Sequence, residues 1–318
     1  MSSDYIPRLR RELLRAGATK PSRLRRPHPA RALQPLAGVA AVALVAVAVA
    51  LALPRGDESP DRATAGKATL SYRIDPSDAA SAERVMRDRL EAAGVRGAAV
   101  SVSGGSLTIT APHSARADVT ALAQSGRIGI YDWERSVLGP RGAPAPGSAS
   151  VTGGENAGRA GAISKPAADK RAAGGGQVVR ALGGATGGWF ALGGKPALTN
   201  ADVERALVVV DVPTKEPAVA LELTGDGEDA FTALTREVAR RGAANAPPGS
   251  GIESAQHFAI VVDDRIMSVP YIDFRQAPDG IDGATGVHIL GGLTEETARR
   301  LAALLNTGPL AASLEREG

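Results

Sequence analysis

Apolar and polar residues alternate, and then repeat at helical spacing, from residue 68 onward. The stretch begins ATLSYRID, in which Leu70, Tyr72 and Ile74 are separated by polar positions, as in a strand with one buried face. The next apolar positions recur three and four residues apart and end at Gly94, which is typical of an amphipathic helix followed by a glycine. The pattern therefore predicts a strand and a helix at the start of this region.

A hairpin is predicted next. The sequence AAVSVSGGSLTIT alternates on both sides of Gly104 and Gly105, a pair that is typical of a tight turn. A short helix, ADVTALAQ, and a strand, RIGIYDWE, follow. The resulting order β-α-β-β-α-β predicts a ferredoxin-like sandwich, in which two helices cover one face of a single sheet. We name residues 68–135 the base.

The composition changes after the base. Residues 136–187 are mostly glycine, alanine, proline and serine with scattered charges. Such a segment buries too little apolar surface to offset the entropy of ordering it, so we expect a mobile connector. Regular patterns resume in residues 188–318, which we name the head.

The head has the patterns of a second α+β unit. Thr199 and Asp202 have the spacing of a capping box before a predicted short helix, ADVERA, and a strand, AVALELT, follows. A longer helix is predicted from apolar positions such as Phe231 and Leu234, and Thr294 caps the last helix, which begins a C-terminal return segment. The predicted fold class of the whole chain is therefore α+β.

Two adjacent carboxylates, Asp263 and Asp264, lie between the apolar runs FAIVV and RIMSV. An acid/base pair needs two carboxyls in one desolvated pocket. A two-residue hairpin turn separates the side chains instead, and aspartate tolerates the left-handed backbone that such a turn requires. We therefore predict a structural turn whose two side chains point to water.

The N-terminal region predicts a membrane anchor. Residues 1–35 have nine basic and two acidic residues, and an uncharged run of eighteen apolar residues extends from Leu36 to Leu53. A helix of that length covers about 27 Å, close to the thickness of the hydrocarbon layer. Because basic residues stay in the cytoplasm, we predict a cytoplasmic arm, a transmembrane helix over 36–54, a linker over 55–67 and an extracytoplasmic body. A cleaved signal peptide and a buried helix of a soluble protein are the alternatives.

Composition argues against several classes of function. Aromatic residues make up 3% and the formal net charge is +3, which speaks against binding nucleic acid. There are no cysteines, and the four histidines are not spaced as a helical metal pair. The sequence GDGEDA fits a dinucleotide fingerprint in its glycines alone, because its three acidic residues would repel a pyrophosphate. We therefore predict no catalytic residues, no cofactor and no metal site.

Several segments, taken in order, resemble the first periplasmic domain of SecD, a subunit of the bacterial protein-export apparatus. SYRIDPSDAASAERVMRDRLEAAGVRGAAVSVSGGSLTIT resembles the start of that domain's base. ALTNADVERA, AVALELTGDGEDAFTALTRE, FAIVVDDRIMSVPYI and GLTEETARRLAALLNTGPLAASLE resemble the segments of its head. The sequence given has no further apolar run after Leu314, so we expect it to lack the multi-helix membrane part of that family.

The resemblance implies a non-enzymatic module in the bacterial plasma membrane that captures or guides exported polypeptides, in association with the Sec channel. A proton-driven motor is not expected, because the run from Leu36 to Leu53 has no ionisable residue. Tyr271 and Phe274 are candidate contacts for the polypeptide, with ordinary packing as the alternative. The other functional hypothesis is an envelope sensor or scaffold that kept the fold but no longer works with the translocon.

Overall fold

A computed structural model describes residues 66–144, 158–159, 161–182, 187–212, 214–247, 254–290, 292–311 and 314–317. The predicted arm, the predicted membrane helix with its ends at Leu36 and Leu53, and the linker up to residue 65 lie outside these residues. Within the described ranges, no helix combines the length and the apolar character needed to cross a membrane. The described residues of the base and of the head belong to one compact unit.

The elements of the base follow the predicted order. Its strands and helices are β1 (Lys67–Arg73), α1 (Ala79–Ala92), β2 (Ala99–Ser103), β3 (Ser106–Pro112), α2 (Arg116–Leu122), β4 (Ile128–Asp132) and α3 (Trp133–Ser136). The β2–β3 hairpin pairs Ser103 with Ser106. Gly104 and Gly105 both have positive φ angles, which glycine adopts without strain. The predicted hairpin is thus confirmed.

The remaining elements extend from residue 165 to residue 316. They are α4 (Lys165–Ala172), β5 (Gln177–Arg180), β6 (Trp189–Leu192), β7 (Leu198–Thr199), β8 (Val203–Val210), β9 (Pro217–Leu223), α5 (Gly225–Ala244), β10 (Gln256–Val262), β11 (Arg265–Ser268), β12 (Tyr271–Ile272), β13 (Val287–Ile289), α6 (Glu295–Asn306) and β14 (Glu315–Arg316). Thr199 forms the predicted capping box, and Thr294 caps α6 as predicted, through a capping box with Thr297. The capping box of Thr199 begins a single 3-10 turn, Asn200–Asp202, and not the short helix that we expected.

The base sheet has the order β14-β1-β3-β2, so its fourth strand comes from the C-terminal end of the chain. Tyr72 pairs with Arg316 and Arg73 with Glu315. The prediction that β4 completes this sheet is wrong, since β4 pairs with β10 and β7 in another sheet. The reason is burial on both faces: four of the five residues of β4 are buried, whereas those of β1 alternate.

A second sheet has the order β6-β5-β11-β10-β4-β7, with β12 also paired to β10. Its strand β5 and the helix α4 lie inside residues 136–187, so the prediction of an unstructured connector is wrong for that part. β5 pairs with β6, the next strand along the chain and outside the predicted connector, and, in parallel, with β11, which lies far away in the sequence. A pattern search within the connector could not have detected these partners. Residues 145–157, 160 and 183–186 lie outside the described residues.

A third sheet has the order β13-β9-β8, which leaves β8 at its edge. The predicted helix ADVERA is wrong, because Val203–Val210 form the strand β8. The run LVVV that follows is rich in β-branched residues, and regular pairing with β9 from Arg205 to Val210 favours the extended form. Val208 pairs with Val219 in this ladder.

One helix contributes to two hydrophobic cores. On α6, Leu301 and Leu305 belong to the core of the head, while Ala303 and Leu304 belong to the core of the base. The head core also contains the rings of Phe231 on α5 and Phe258 on β10, which make an edge-to-face contact with centroids 5.5 Å apart. The helix α6 therefore packs against two separate hydrophobic cores and links the base to the head.

Candidate functional site

The turn between β10 and β11 consists of Asp263 and Asp264, and Asp263 has a φ of 55°. The side chain of Asp263 does not point to water, which corrects our expectation. Its carboxylate accepts hydrogen bonds from the hydroxyl of Ser125 and from the backbone N–H of Arg127, the latter at 2.9 Å. Asp264 does have an exposed side chain, 3.9 Å from Arg265. The turn of the head is therefore attached to the segment of the base between α2 and β4.

A buried arginine lies next to this attachment. Arg89, on α1, has 0% exposure. Its guanidinium donates to five oxygens that end or follow the helices α2 and α6, at 2.5–3.1 Å; the acceptors are Leu122 O, Gln124 O, Ser125 O, Thr307 Oγ1 and Gly308 O. Carbonyls at the C-terminal ends of helices carry partial negative charge and suit a cation. Burial lowers the pKa of Arg89 to about 10, with the Asp263 carboxylate opposing this, so the side chain is charged at neutral pH.

Glycine is required beside this arginine. Gly126 has a φ of 79°, and a Cβ atom there would lie 2.7 Å from Arg89 Nη2 and 3.3 Å from the carbonyl oxygen of Leu304. Asn200 adds a further connection, since its amide nitrogen donates to Gly126 O at 2.9 Å and its amide oxygen accepts from Ile128 N at 3.0 Å. We name Arg89, Ser125, Gly126, Asn200 and Asp263 the junction.

A second polar cluster connects β4, α3, α5 and β10. Arg241 donates two hydrogen bonds to the carboxylate of Asp132, at 2.7 and 2.8 Å. His257 Nδ1 lies 2.7 Å from a carboxylate oxygen of Glu134, and the backbone N–H of His257 donates to the same carboxylate. His257 is 1% exposed, so a substrate cannot reach this histidine–carboxylate pair. The arrangement resembles an acid/base dyad only in composition, and its geometry is that of a structural connection.

A partly exposed ion cluster joins α2 to α6. Arg300 Nε lies 2.6 Å from Asp118, and Arg300 Nη2 lies 2.5 Å from Glu296. Burial raises the pKa of Asp118; the Arg300 guanidinium lowers it and the Glu296 carboxylate raises it. The cluster therefore links the base to α6, and the strength of its ion pairs depends on whether the Asp118 carboxyl is protonated.

The two aromatic residues proposed from the sequence are half-buried. Tyr271 is on β12, with its ring 6.4 Å from that of His257. Phe274 packs against the core of the head, and a Cβ atom added to Gly242 on α5 would lie 3.0 Å from its ring. Ordinary packing therefore accounts for much of the Phe274 side chain, and each ring keeps part of its surface in solvent.

The structure shows an apolar edge that sequence reasoning missed. Along β8 and just beyond it, the exposed fraction of alternate side chains rises from 2% at Ala206 to 41% at Val208, 64% at Val210 and 74% at Val212. These valines are the exposed large hydrophobic side chains of the described residues. We name Val208, Val210 and Val212 the valine edge. The available signal was the run LVVVDV, which has more apolar residues than a surface strand needs.

The glycines and acidic residues of GDGEDA lie at the start of a helix. No cluster of potential metal ligands occurs among the described residues. The GDGEDA sequence begins α5, where Thr224 is the N-cap and Asp226 and Glu228 occupy the first turn. Gly227 is packed against the backbone of Asp202, which explains this glycine by close packing and not by a bound phosphate.

Part of the chain matches a known family model. Residues 177–312 match the family model described as SecDF, P1 head subdomain. The chain resembles the periplasmic domain of SecD and SecDF. The SecD-like match begins at residue 177, which is earlier than the boundary at 188 that we placed from the sequence, and it includes β5.

A curated relative is also similar to part of the chain. The chain is 29% identical to protein translocase subunit SecD of Aquifex aeolicus (strain VF5) over 127 residues. The aligned segment covers 40% of this chain and 21% of that protein. The chain thus spans about a fifth of the length of this SecD relative.

One solved structure supports the likeness in fold. The crystal structure of SecDF in its super-membrane-facing form matches this chain with a TM-score of 0.50 and 20% identity. The match covers 79% of this chain and 29% of the SecDF chain. A structure of SecDF, described as a membrane component that enhances protein export, covers 80% of this chain and 98% of its own, with a TM-score of 0.47 and 20% identity. The former match supports a shared mixed α+β fold.

Proposed function

We propose that this chain is a SecD-like module of the bacterial plasma membrane that captures or guides exported polypeptides in association with Sec translocation, without catalysis. Residues 36–54 anchor it, its N-terminus is cytoplasmic and its two folded parts are extracytoplasmic. The base is a ferredoxin-like sandwich whose two helices are α1 and α2 and whose fourth strand is β14. The sheet order β14-β1-β3-β2 supports the fourth strand, and the contribution of both helices to the base core supports the helix assignment.

The observation that carries this proposal is the valine edge on a head that resembles that of SecDF. A polypeptide in transit is unfolded, so it exposes apolar side chains and unpaired peptide groups. A surface that accepts many sequences must recognise these common features, and an exposed apolar strand at a sheet edge offers both kinds of contact. Tyr271 and Phe274 remain proposed secondary contacts, because part of each ring is exposed.

Site-specific crosslinking in cells tests the proposal. A photoreactive amino acid at Val210 is expected to label a secreted chain that is stalled during export. The same group at Glu91, an exposed position on α1 of the base, is the matched control and is expected to label it much less. Equal labelling from both positions, or none from Val210, would contradict capture by the head.

Pull-down of the intact protein in mild detergent tests the association with the channel. Sec channel subunits are expected to co-purify with the module. If they are absent while the protein is folded and in the membrane, the sensor or scaffold hypothesis is favoured instead. Protease added to cells with a permeable outer layer is expected to degrade the base and the head, because both are proposed to lie outside the membrane.

A further inference from the structure

We propose that the valine edge binds its polypeptide by strand addition: an extended segment pairs antiparallel with β8 through the outward-facing peptide groups of Val208 and Val210. This inference rests on the proposed function and specifies how that surface recognises its substrate. The class of ligand is an extended segment with aliphatic side chains at alternate positions, flanked by basic residues.

The backbone of β8 shows which peptide groups are available. In an antiparallel ladder, the N–H and C=O groups of alternate residues face the neighbouring strand and those of the others face away. Ala206 N donates to Asn306 Oδ1 at 2.7 Å, and Asn306 Nδ2 donates to Ala206 O at 2.8 Å. Because Asn306 is on α6 and not on β9, the peptide groups of Ala206 face away from β9.

Val208 and Val210 share this orientation. The pairing of β8 with β9 has no register shift between Arg205 and Val210, so residues two and four places beyond Ala206 also direct their peptide groups outward. Within the described part of the chain, β8 is the last strand of its sheet. The outward N–H and C=O groups of these two valines are therefore available to another strand.

Asn306 shows that this edge can accept a strand. Its side-chain amide has the donor and acceptor of a peptide group and makes with Ala206 the two hydrogen bonds that an antiparallel partner would make. Asn306 therefore closes the edge at Ala206 and fixes where an added strand can begin to pair. The free stretch begins two residues later, where the side chains become exposed.

Side chains and charges define the chemistry of the partner. Val208 and Val210 lie on the same face of β8, so aliphatic residues of an added strand, directly opposite, would cover them. Exposed Glu204 precedes the free stretch, and Asp211 and exposed Glu216 follow it, against one nearby lysine, Lys215. Arg205 is paired with Glu222 at 2.7 Å. The acidic surroundings favour a segment with basic flanks.

The test measures peptide binding to the full chain in detergent micelles by fluorescence anisotropy. The probe is a capped peptide of alternating valine and serine with lysines at both ends. Two modified probes carry N-methyl groups on all valines or on all serines. In antiparallel pairing, the residue opposite Val208 has its side chain on the same face and exchanges both hydrogen bonds with it. N-methylation of the valines is therefore expected to abolish binding, and N-methylation of the serines to preserve it.

A pair of protein variants tests the same contact from the other side. V208P removes the outward N–H and retains the bonds that β8 makes with β9, since proline is tolerated on edge strands at this kind of position. V208T, the matched control, retains the N–H and the branched shape. V208P is expected to bind the peptide roughly tenfold more weakly than V208T, the loss expected for one hydrogen bond and its neighbour contacts. Circular dichroism verifies that both variants fold.

Other outcomes overturn the inference. If N-methylation of the valines and of the serines weakens peptide binding equally, or if neither weakens it, main-chain pairing is ruled out and only apolar contact remains. This comparison uses the wild-type chain, so it does not depend on whether a variant folds. If the wild-type chain sediments as a dimer that V208P dissociates, and it does not bind the peptide, the edge pairs with a second copy. Peptide binding that persists while crosslinking in cells fails would refute the proposed function and retain strand addition. Crosslinking in cells without peptide pairing would support the proposed function and refute strand addition.

Discussion

The junction and the valine edge depart from the usual distribution of residues in opposite directions. At the junction, a charged side chain, Arg89, is completely buried, and each of its described acceptors is a backbone or hydroxyl oxygen. At the valine edge, aliphatic side chains are in solvent, and the outward peptide groups beside them are free within the described part of the chain. Buried polar groups with all their bonds made fix one arrangement, whereas exposed apolar groups keep the capacity for contact.

This difference separates a structural role from a binding role. Loss of a junction residue should reduce the stability of the whole described unit, because Arg89, Asp263 and Gly126 connect the base to the head. Loss of a valine at the edge should leave stability unchanged and affect only binding. The following substitutions measure how far this separation holds.

The largest effect is expected for R89M. Methionine keeps the apolar stem but leaves the acceptors of the guanidinium without a donor inside the protein. We expect the free energy of unfolding to fall by about 3–5 kcal/mol. Urea denaturation followed by circular dichroism measures this. R87M is the control, because Arg87 is exposed and makes one surface ion pair with Glu83, so a loss below about 0.5 kcal/mol is expected. Equal losses would contradict the assignment.

The second effect concerns Gly126. G126A places a methyl group 2.7 Å from Arg89 Nη2 on a backbone with positive φ, so both collision and strain oppose it. We expect a loss of about 2–3 kcal/mol. Gly94 has a similar φ, 75°, with open space around its Cβ position, so G94A reports the strain alone, about 1 kcal/mol. Thermal and urea unfolding of both variants gives the difference, and a G126A loss no larger than that of G94A would show that Arg89 is not tightly held.

The third comparison uses one cross-strand pair. Val219 is fully buried and Val208 is 41% exposed, although the two residues face each other in the β8–β9 ladder. V219T buries a hydroxyl and should lower the free energy of unfolding by about 1–3 kcal/mol. V208T should change it by less than about 0.5 kcal/mol. Chemical denaturation of the two variants decides this, and a large loss with V208T would mean that this side chain is needed for the fold.

The fourth prediction concerns the β10–β11 turn. D263N retains a residue that tolerates the left-handed backbone but removes the charge that accepts hydrogen bonds from Ser125 and Arg127. We expect a loss of about 1–2 kcal/mol in the free energy of unfolding. D264N, whose side chain is exposed, should be neutral within about 0.5 kcal/mol. Similar values for both would return Asp263 to the purely local role first predicted for it.

The smallest effect is a pH dependence at Asp118. Since its pKa is raised in the folded state, that state binds the proton more tightly than the unfolded chain does. The stability from this proton is fully present below the ordinary pKa of about 3.9 and is lost as the pH rises through the raised value. The free energy of unfolding of the wild type minus that of D118N should therefore fall across this window. D88N, at an exposed position, corrects for the changed net charge. A difference that rises with pH would contradict the direction.

Local patterns predicted elements whose stability comes from nearby residues. The strand and helix before Gly94, the hairpin at Gly104 and the caps at Thr199 and Thr294 depend on residues within a few positions of each other. The resemblance of the head to SecD also depended on ordered local segments, and the family match over residues 177–312 supports it.

Predictions failed where the pairing partner lay outside the segment from which each element was predicted. β4 was placed in the base sheet because it completes the expected order, but its buried residues pair with β10. β5 was missed because its partners β6 and β11 lie outside the connector, and β8 was read as a helix because its pairing with β9 is not visible in ADVERA. The valine edge was missed for the same reason, since exposure depends on what α6 covers.

The sequence by itself determined the alternation of strands and helices, the turns, the caps and the family likeness, because periodicity and backbone preference act over a few residues. Only the tertiary structure decided which sheet β4 joins, that Asp263 and Arg89 both bind Ser125 at the junction, and that Val208 and Val210 remain uncovered. These outcomes depend on pairing and burial between residues far apart in the chain, and a local pattern has no information about which surface will lie against it.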